Sequence, residues 1–263
     1  MLAEIRSAVW AEGLKVRRSL VPRVTLAAMT LGGAVGAFFM FVFQDLDRSR
    51  KFGLLGDKTE LAGGTADWAG HFALTGQIVT IGGLIVFGTV TIWLFGREFN
   101  DRTVKDLLAL PTSRVAIVVA KLLVAFGWCA LLALTLLGFA LMSGAVLGLP
   151  GWSAEVGLQG VGAVLEGALL TTALTVTYGL VASVTRGYLA AFGALFLSLF
   201  TAQVLAAVGY GRWFPWTVPA LLAGIGGPEQ PDPGLSGVVT VLAVALGSAL
   251  ATVLWWQRAD HTT

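Results

Sequence analysis

The chain has 263 residues, of which 56% are hydrophobic and only 12% charged, and its mean hydropathy is +0.82. Charged residues occupy about a quarter of the positions in a water-soluble domain, so this composition excludes a soluble fold. The net charge of +2 gives no reason to expect a nucleic-acid partner.

Six apolar stretches are each long enough to cross a bilayer, because a helix needs roughly 20 apolar residues to span about 30 Å of hydrocarbon. We therefore predict an all-α integral membrane protein with one transmembrane domain, residues 1–263. The predicted spans are residues 24–43, 72–95, 116–142, 159–184, 188–208 and 238–256.

The stretch ahead of the first span, residues 2–22, mixes basic and apolar side chains. At helical periodicity one side of it collects the apolar residues Leu2, Ile5, Val9, Val16 and Leu20. The pattern predicts an interfacial helix whose basic side chains contact anionic lipid headgroups. An ordinary basic flank of the first span is the alternative.

Span 1 carries two glycines four residues apart, Gly32 and Gly36, which predict a notch where a neighbouring helix approaches closely. Behind it, residues 44–71 carry many charges and are predicted to form a solvated loop. His71, near the end of this loop, has no second ligand at metal spacing. We therefore predict a surface histidine and no metal site.

The densest charged segment of the chain, residues 97–121, lies between spans 2 and 3. Glu98 and Arg102 are four residues apart, as are Asp101 and Lys105, and both pairs have the acid first. This order supports a helix by about 0.2–0.5 kcal/mol per pair. The segment predicts a short helix over residues 98–110.

Residues after that helix give its stop signal and the start of span 3. Pro111 disfavours helical geometry at the residue before it and has no amide hydrogen to donate. Thr112 or Ser113 is a candidate cap for the next helix. From these signals alone, a plain amphipathic helix lying on the membrane remains an equal alternative to a docking element.

The distribution of lysine and arginine predicts the orientation of the chain. With six spans both termini lie on one side, and that side, including the 97–121 segment, carries twelve of these residues against five on the other. The positive-inside rule then places both termini and the segment in the cytoplasm.

Glu166 is the ionisable residue that lies well inside a predicted span. A carboxylate at the centre of a bilayer costs roughly 2.5–3.5 kcal/mol, so it should face protein or water. Gln203 in span 5 is predicted to lie at a similar depth in the outer half. A polar contact between the two, or a place on a transport path, is one interpretation; an acid reaching water at the outer interface is the other.

The loop between spans 5 and 6, residues 209–237, is rich in proline, glycine and tryptophan. Trp213 and Trp216 suit the headgroup belt. The apolar stretch 220–225 is too short to span and predicts either a segment that re-enters the outer leaflet against protein or an interfacial loop.

Several function classes lack their residues in this chain. Both histidines lie outside the predicted spans and no His-Glu-x-x-His occurs, which excludes the usual intramembrane metalloenzyme. The dipeptide Gly-Lys does not occur, so the usual phosphate-binding loop is absent and ATP hydrolysis would need another chain. An ion- or proton-coupled secondary transporter and a non-transporting anchor or assembly factor stay open as alternatives.

The segment between spans 2 and 3 resembles the signature of bacterial ABC type-2 permease subunits with the type V exporter fold. The pattern is Glu-Phe, a Thr, a Leu-rich stretch, Leu-Pro-x-Ser-Arg and a later Lys. The matching residues are Glu98, Phe99, Thr103, Leu107, Leu108, Leu110, Pro111, Ser113, Arg114 and Lys121. Arg102 stands where many members have glycine, which leaves the local helix geometry open.

The resemblance implies roles for these elements. Residues 2–22 would be the elbow helix, and residues 98–110 the coupling helix that docks on a separate nucleotide-binding subunit. The implied coupling residues are Glu98, Phe99, Arg102, Thr103, Leu107, Pro111 and Arg114.

The resemblance also implies partners and an activity. Two permease chains, identical or homologous, would work with two nucleotide-binding subunits that hold ATP and Mg, while this chain binds no cofactor. Together they would export a drug, peptide or lipid-like substrate across the cytoplasmic membrane.

Overall fold

A computed structural model describes residues 2–45, 65–109, 111–225 and 232–258. Within these ranges six helices are long and apolar enough to cross a membrane, which confirms the predicted all-α membrane fold. They are Val21–Gln44, Trp68–Asn100, Arg114–Val146, Ala154–Val184, Leu189–Ala207 and Gly234–Arg258, numbered here as spans 1 to 6. Most of the charged loop after span 1, together with Leu110 and His261, lies outside the described residues.

Spans 2 and 4 form the centre of the bundle. In their most apolar windows 61% and 72% of residues are buried, against 17% in span 5. Phe87 and Phe95 of span 2 and Leu174 and Tyr178 of span 4 are almost completely buried. Spans 1, 5 and 6 are peripheral and leave much of their apolar surface exposed on the outside of the bundle, as a lipid-facing helix does.

Span 2 consists of two α-helical parts, Trp68–Gln77 and Gly83–Asn100, joined by a π-helical turn, Ile78–Gly82. The side chain of Ile78 fills the predicted notch of span 1, because a Cβ added at Gly32 or Gly36 would lie 3.1 Å or 3.0 Å from it. The close approach predicted at this glycine pair is thus confirmed.

Span 2 begins one turn earlier than its apolar pattern indicates. The Asp67 side chain caps the helix by accepting from the Gly70 amide at 2.7 Å. His71 therefore lies in the first turn and packs against span 3, where its Nε2 is 2.9 Å from the Ala140 carbonyl oxygen. Only 2% of His71 is exposed, so the prediction of a surface residue was wrong.

The N-terminal helix, Leu2–Arg18, is shorter than the predicted 2–22 and packs along the beginning of span 3. The end of span 6 lies at the same end of the bundle, where Trp256 Nε1 donates to Ser183 Oγ of span 4 at 3.0 Å. We call this the terminal end, and the other the opposite end.

The chain after span 5 folds back into the bundle at the opposite end. Two 3₁₀ turns, Gly211–Trp213 and Pro215–Thr217, lead into a short helix, Val218–Leu222; we call residues 211–222 the returning segment. Its Val218 packs on Leu170 of span 4, which is about 24 Å along that helix from its first residue. The returning segment therefore lies against the middle of span 4 and not at its end.

Candidate functional site

The connection between spans 2 and 3 is not the single helix over residues 98–110 that the charge pattern predicts. Span 2 continues as a helix through Asn100. The chain then turns, and a separate short helix covers Val104–Leu108. We call Val104–Leu108 the connecting helix. The break arises from the geometry of the intervening turn.

That turn is a Schellman motif. The Thr103 amide donates to the Glu98 carbonyl at 2.9 Å and the Arg102 amide donates to the Phe99 carbonyl at 3.3 Å, the two bonds that close a helix of this kind. Arg102 has a φ of 58°, in the left-handed region that favours glycine. Many of the resembling sequences have glycine at this position, and a left-handed residue here accounts for that preference.

The two predicted ion pairs of this segment are replaced by others. Asp101 Oδ2 lies 3.4 Å from Arg97 Nε, one turn back along span 2. Glu98 turns into the bundle, where Lys121 Nζ lies 2.8 Å from its carboxylate. The left-handed residue at 102 ends the helical periodicity on which Glu98–Arg102 and Asp101–Lys105 pairing depended.

Glu98 belongs to a buried network of two carboxylates and two ammonium groups at the terminal end. Lys121 of span 3 donates to both Glu98 oxygens at 2.8 Å, to the Leu94 carbonyl at 2.7 Å and to Glu12 Oε2 at 3.2 Å. Lys15 of the N-terminal helix donates to Glu12 Oε1 at 2.6 Å and to Glu98 Oε1 at 2.9 Å. The network joins the N-terminal helix, span 2 and span 3.

The network is electrically neutral and enclosed except at Lys15, whose side chain is 29% exposed. The Lys121 side chain is 0% exposed, and those of Glu98 and Glu12 are 3% and 4% exposed. Lys121 has three N–H donors, matching its three acceptor groups, so none of them is left buried without a partner. Burial lowers the pKa of Lys15, but the attraction of Glu98 and Glu12 outweighs it and the pKa is raised, which keeps this ammonium charged.

Two further predicted residues tie the terminal end to span 6. Phe99 packs edge-on against Trp255 and Trp256, with ring centroids 6.0 Å and 5.8 Å away. Arg114 Nη1 donates to the Trp256 carbonyl at 3.0 Å. A cation there also complements the negative end of the span 6 helix dipole.

Span 3 begins at a cap, as predicted. Ser113 is that cap, and its Oγ accepts from the Ala116 amide at 3.3 Å. The Ser113 amide in turn donates to Glu4 Oε2 of the N-terminal helix at 3.2 Å, and this bond lowers the pKa of Glu4.

The structure therefore divides the predicted coupling residues into two groups. Glu98, Phe99 and Arg114 make contacts within the chain. Arg102, Thr103 and Pro111 are exposed, and Leu107 is half-buried against the bundle. Lys105 and Asp106 of the connecting helix are exposed beside them.

Glu166 and Gln203 are not brought together. Glu166 is exposed on the surface of span 4, about 18 Å along that helix from Ala154. Gln203 lies one turn from the end of span 5 and lines a cavity between spans 2 and 5 and the returning segment. No hydrogen bond joins the two side chains in the described part of the chain.

Sequence reasoning did not single out Glu12 and Lys15 as part of this site. Both were counted among the charges of an interfacial helix, and nothing local to them predicts that they face Lys121, which is more than 100 residues away. One signal was present. Glu12 is four residues before the apolar Val16, so an acid shares the helix face that becomes buried.

Comparisons with known proteins point to membrane transport. A family model described as ABC-2 family transporter protein matches residues 8–203. The bacitracin transport permease protein BCRB of Bacillus licheniformis is 27% identical over 184 residues, covering 70% of this chain and 88% of that protein. The matched region includes the whole buried network and the connecting helix.

Proposed function

The chain belongs to the ABC-2 family of transporter proteins, and from that premise we propose that it is the membrane-spanning permease subunit of an ATP-driven exporter. ATP and Mg are held by a separate nucleotide-binding subunit, and this chain supplies no catalytic residue. Two permease chains, identical or homologous, and two nucleotide-binding subunits form the working unit in the cytoplasmic membrane. In this orientation the terminal end of the bundle faces the cytoplasm.

The observation that supports this proposal is the buried charge network directly behind an exposed turn. Arg102 and Thr103 are exposed between span 2 and the connecting helix. Glu98, four residues before Arg102, is held by Lys121 of span 3 and Lys15 of the N-terminal helix. A force applied to the turn therefore acts on all three helices together.

We assign the two groups of residues different roles. Arg102, Thr103, Leu107 and Pro111 form the docking surface for the nucleotide-binding subunit. Glu98, Phe99 and Arg114 transmit the motion, because they contact spans 3 and 6 within the chain. A buried ion network suits transmission, since separating its members would leave uncompensated charges and costs several kcal/mol.

The substrate path is proposed to use the polar groups of the membrane region. Glu166 is exposed on span 4 in the single chain, where hydrocarbon would be costly, so we place it against the second permease chain or on a water-filled path. Gln203 lies on the wall of a cavity of about 210 Å³. A Glu166→Gln variant should reduce transport, and unchanged transport and assembly would remove this role.

The substrate class proposed is a drug, peptide or lipid-like molecule. The name of the Bacillus licheniformis relative makes bacitracin the first compound to test. A panel assay in vesicles that contain the permease and its nucleotide-binding subunit would identify what is moved.

The test of the whole proposal is coupling. The permease is co-expressed with candidate nucleotide-binding subunits from its own genome, purified as a complex and reconstituted into vesicles, where ATP hydrolysis and substrate movement are both measured. Arg102→Glu and Leu107→Ala should weaken co-purification or uncouple hydrolysis from transport while the fold is kept. Arg212→Glu, at the opposite end, is the matched charge reversal and should leave both unchanged.

Failure to capture any nucleotide-binding subunit would contradict the proposal, as would transport that proceeds without ATP. Unaltered coupling in both Arg102→Glu and Leu107→Ala would refute the docking role of the connection while leaving the family membership intact.

A further inference from the structure

A basic cavity of about 240 Å³ lies between the last turns of the N-terminal helix and the end of span 2. Its ionisable lining residues, Lys15, Arg18 and Arg97, are all cationic, and Ala11 and Leu14 add an apolar wall. Water occupies about 30 Å³ per molecule in the liquid, so the cavity has room for a phosphate group. It is separate from the exposed face of the connecting helix.

Arg97 is held in place with donors left over. Its guanidinium lies 5.1 Å from the centroid of the Trp93 ring, and its Nε is 3.4 Å from Asp101 Oδ2. Its Nη1 is shielded from solvent and has no hydrogen-bond partner among the described residues. A fixed guanidinium with an unused donor suits an anion with several oxygens, because its planar fork matches phosphate.

The other two cations also have unused donors. Lys15 donates to Glu12 and Glu98, which accounts for two of the three N–H groups of its ammonium. Arg18 is exposed, and it forms no ion pair with an acid in the described ranges. The acids near the cavity pair with two of its cations, Glu12 and Glu98 with Lys15 and Asp101 with Arg97, so Arg18 is the lining cation that no described acid neutralises.

The position of the cavity indicates the source of the anion. Arg97 follows directly on the apolar part of span 2, and Trp93 one turn earlier suits the headgroup level. Trp10 on the N-terminal helix and Leu20 just before span 1 are 71% and 69% exposed, as expected of side chains that reach into a bilayer. The cavity is therefore placed where a lipid phosphate lies, beside apolar side chains that suit the start of the acyl region.

We propose that this cavity binds the phosphate group of an anionic membrane lipid, with Arg97 and Arg18 as the main ligands and Lys15 as a third donor. The bound lipid joins the N-terminal helix to span 2 from outside, next to the network that joins them from inside. Binding does not depend on the nucleotide-binding subunit or on the transported substrate, so its test is separate from that of the proposed function.

The test measures lipid binding to the purified full chain. Native mass spectrometry compares phosphatidylglycerol with phosphatidylcholine across a concentration series, and thermal unfolding in detergent is followed with each lipid. Wild type should retain phosphatidylglycerol preferentially and melt at a higher temperature in its presence. Arg18→Gln and Arg97→Gln should each weaken phosphatidylglycerol binding about fivefold and reduce the thermal shift.

Arg17→Gln is the matched control, because Arg17 is exposed on the same helix and does not line the cavity. Equal loss in Arg17→Gln would overturn the proposal in favour of diffuse attraction to a basic helix. Unchanged binding in both Arg18→Gln and Arg97→Gln would also overturn it. Inorganic phosphate is added in a separate arm, and displacement of the lipid by millimolar phosphate would show that the site takes the free anion.

Discussion

The two ends of span 2 are held by different kinds of contact. At the terminal end, Glu98 and the Leu94 carbonyl hold the Lys121 ammonium at 2.7–2.8 Å inside a closed network of charges. In the half nearer the opposite end, the helix passes through the π-helical turn Ile78–Gly82 and borders a cavity of about 210 Å³. The terminal end is fixed by bonds between buried charges, whereas the other half of span 2 has, among the described residues, only neutral or capping bonds, such as that of His71 with the Ala140 carbonyl, and borders unfilled space.

This difference determines how each end can respond to a force. Moving Lys121 away from its partners would leave buried charges uncompensated, so the three helices that share the network should move as one body. Apolar side chains around a cavity lose little when they shift, because some already lack contacts on one side. Short π-helical turns within α-helices are frequently found at functional sites. We expect the terminal end to transmit motion and the opposite end to repack.

The largest predicted effect is that of removing the central cation. Lys121→Met leaves Glu98 and Glu12 buried with one ammonium fewer, and it should lower the free energy of unfolding by about 3–5 kcal/mol. Thermal or denaturant unfolding of the purified chain in detergent measures this. Lys105→Met, an exposed lysine at the same end, is the control and should change stability by less than about 0.5 kcal/mol.

The double variant Lys121→Met with Glu98→Gln sharpens the same point. It removes one charge of each sign and should recover part of the lost stability, because the uncompensated carboxylate is gone. Equal stability of the wild type and Lys121→Met would show that the four charges do not fix the terminal end.

A second prediction concerns packing at the opposite end. A Cβ added at Gly144 would lie 2.6 Å from the ring of Trp68, which is itself packed on Trp152 with centroids 4.5 Å apart. Overpacking of this kind costs about 1–3 kcal/mol. Gly144→Ala should lower the free energy of unfolding by about 1 kcal/mol if the tryptophans can shift. The loss should be about 3 kcal/mol if this end is as rigid as the terminal end.

Gly138→Ala is the control on the same span. Nothing lies within 4 Å of its added Cβ, so only helix propensity changes and a gain of about 0.5–1 kcal/mol is expected. A loss of stability in Gly138→Ala would mean that its face is covered by another chain in the purified protein.

The sequence predicts the number and type of elements well because hydrocarbon thickness dictates the length of each apolar run. It predicts their ends poorly where a cap lies in polar sequence. Ser153 caps span 4 by accepting from the Val156 amide at 3.1 Å, so that helix starts before the predicted 159. A hydropathy pattern does not show the first turn of a span when that turn and its cap are polar.

The candidate site was predictable only in part. Glu98 and Lys121 lie in a motif of nearby residues, but Glu12 and Lys15 reach them through packing of the N-terminal helix on span 3. The ion pairs predicted along the connection assumed an unbroken helix. The left-handed conformation of Arg102 has no signature in its own residue type, since arginine seldom adopts it.

A third prediction uses that conformation. Arg102→Gly removes the steric cost of a φ of 58° and should stabilise the fold by about 1 kcal/mol, provided that the turn persists. Lys105→Gly, inside the connecting helix, should have the opposite sign because glycine disfavours helix. Destabilisation by Arg102→Gly would show that the arginine side chain makes a contact whose stabilisation exceeds the cost of the backbone strain.

The smallest predicted effect concerns the wall of the 210 Å³ cavity beside span 2. Thr217 on the wall of the cavity is 3% exposed, and its Oγ1 has no hydrogen-bond partner among the described residues. Thr217→Val keeps the shape and removes an unsatisfied hydroxyl, so stability should rise by up to about 1 kcal/mol. Thr80→Val, on the same wall, loses a bond of 2.9 Å to the Gly76 carbonyl and should lower stability by about 0.5–1.5 kcal/mol. Opposite signs for these two changes would show that the cavity wall carries a polar group without a partner. A loss in both would show that Thr217 has an acceptor in the folded protein, and that both walls of the cavity, span 2 and the returning segment, are held by hydrogen bonds.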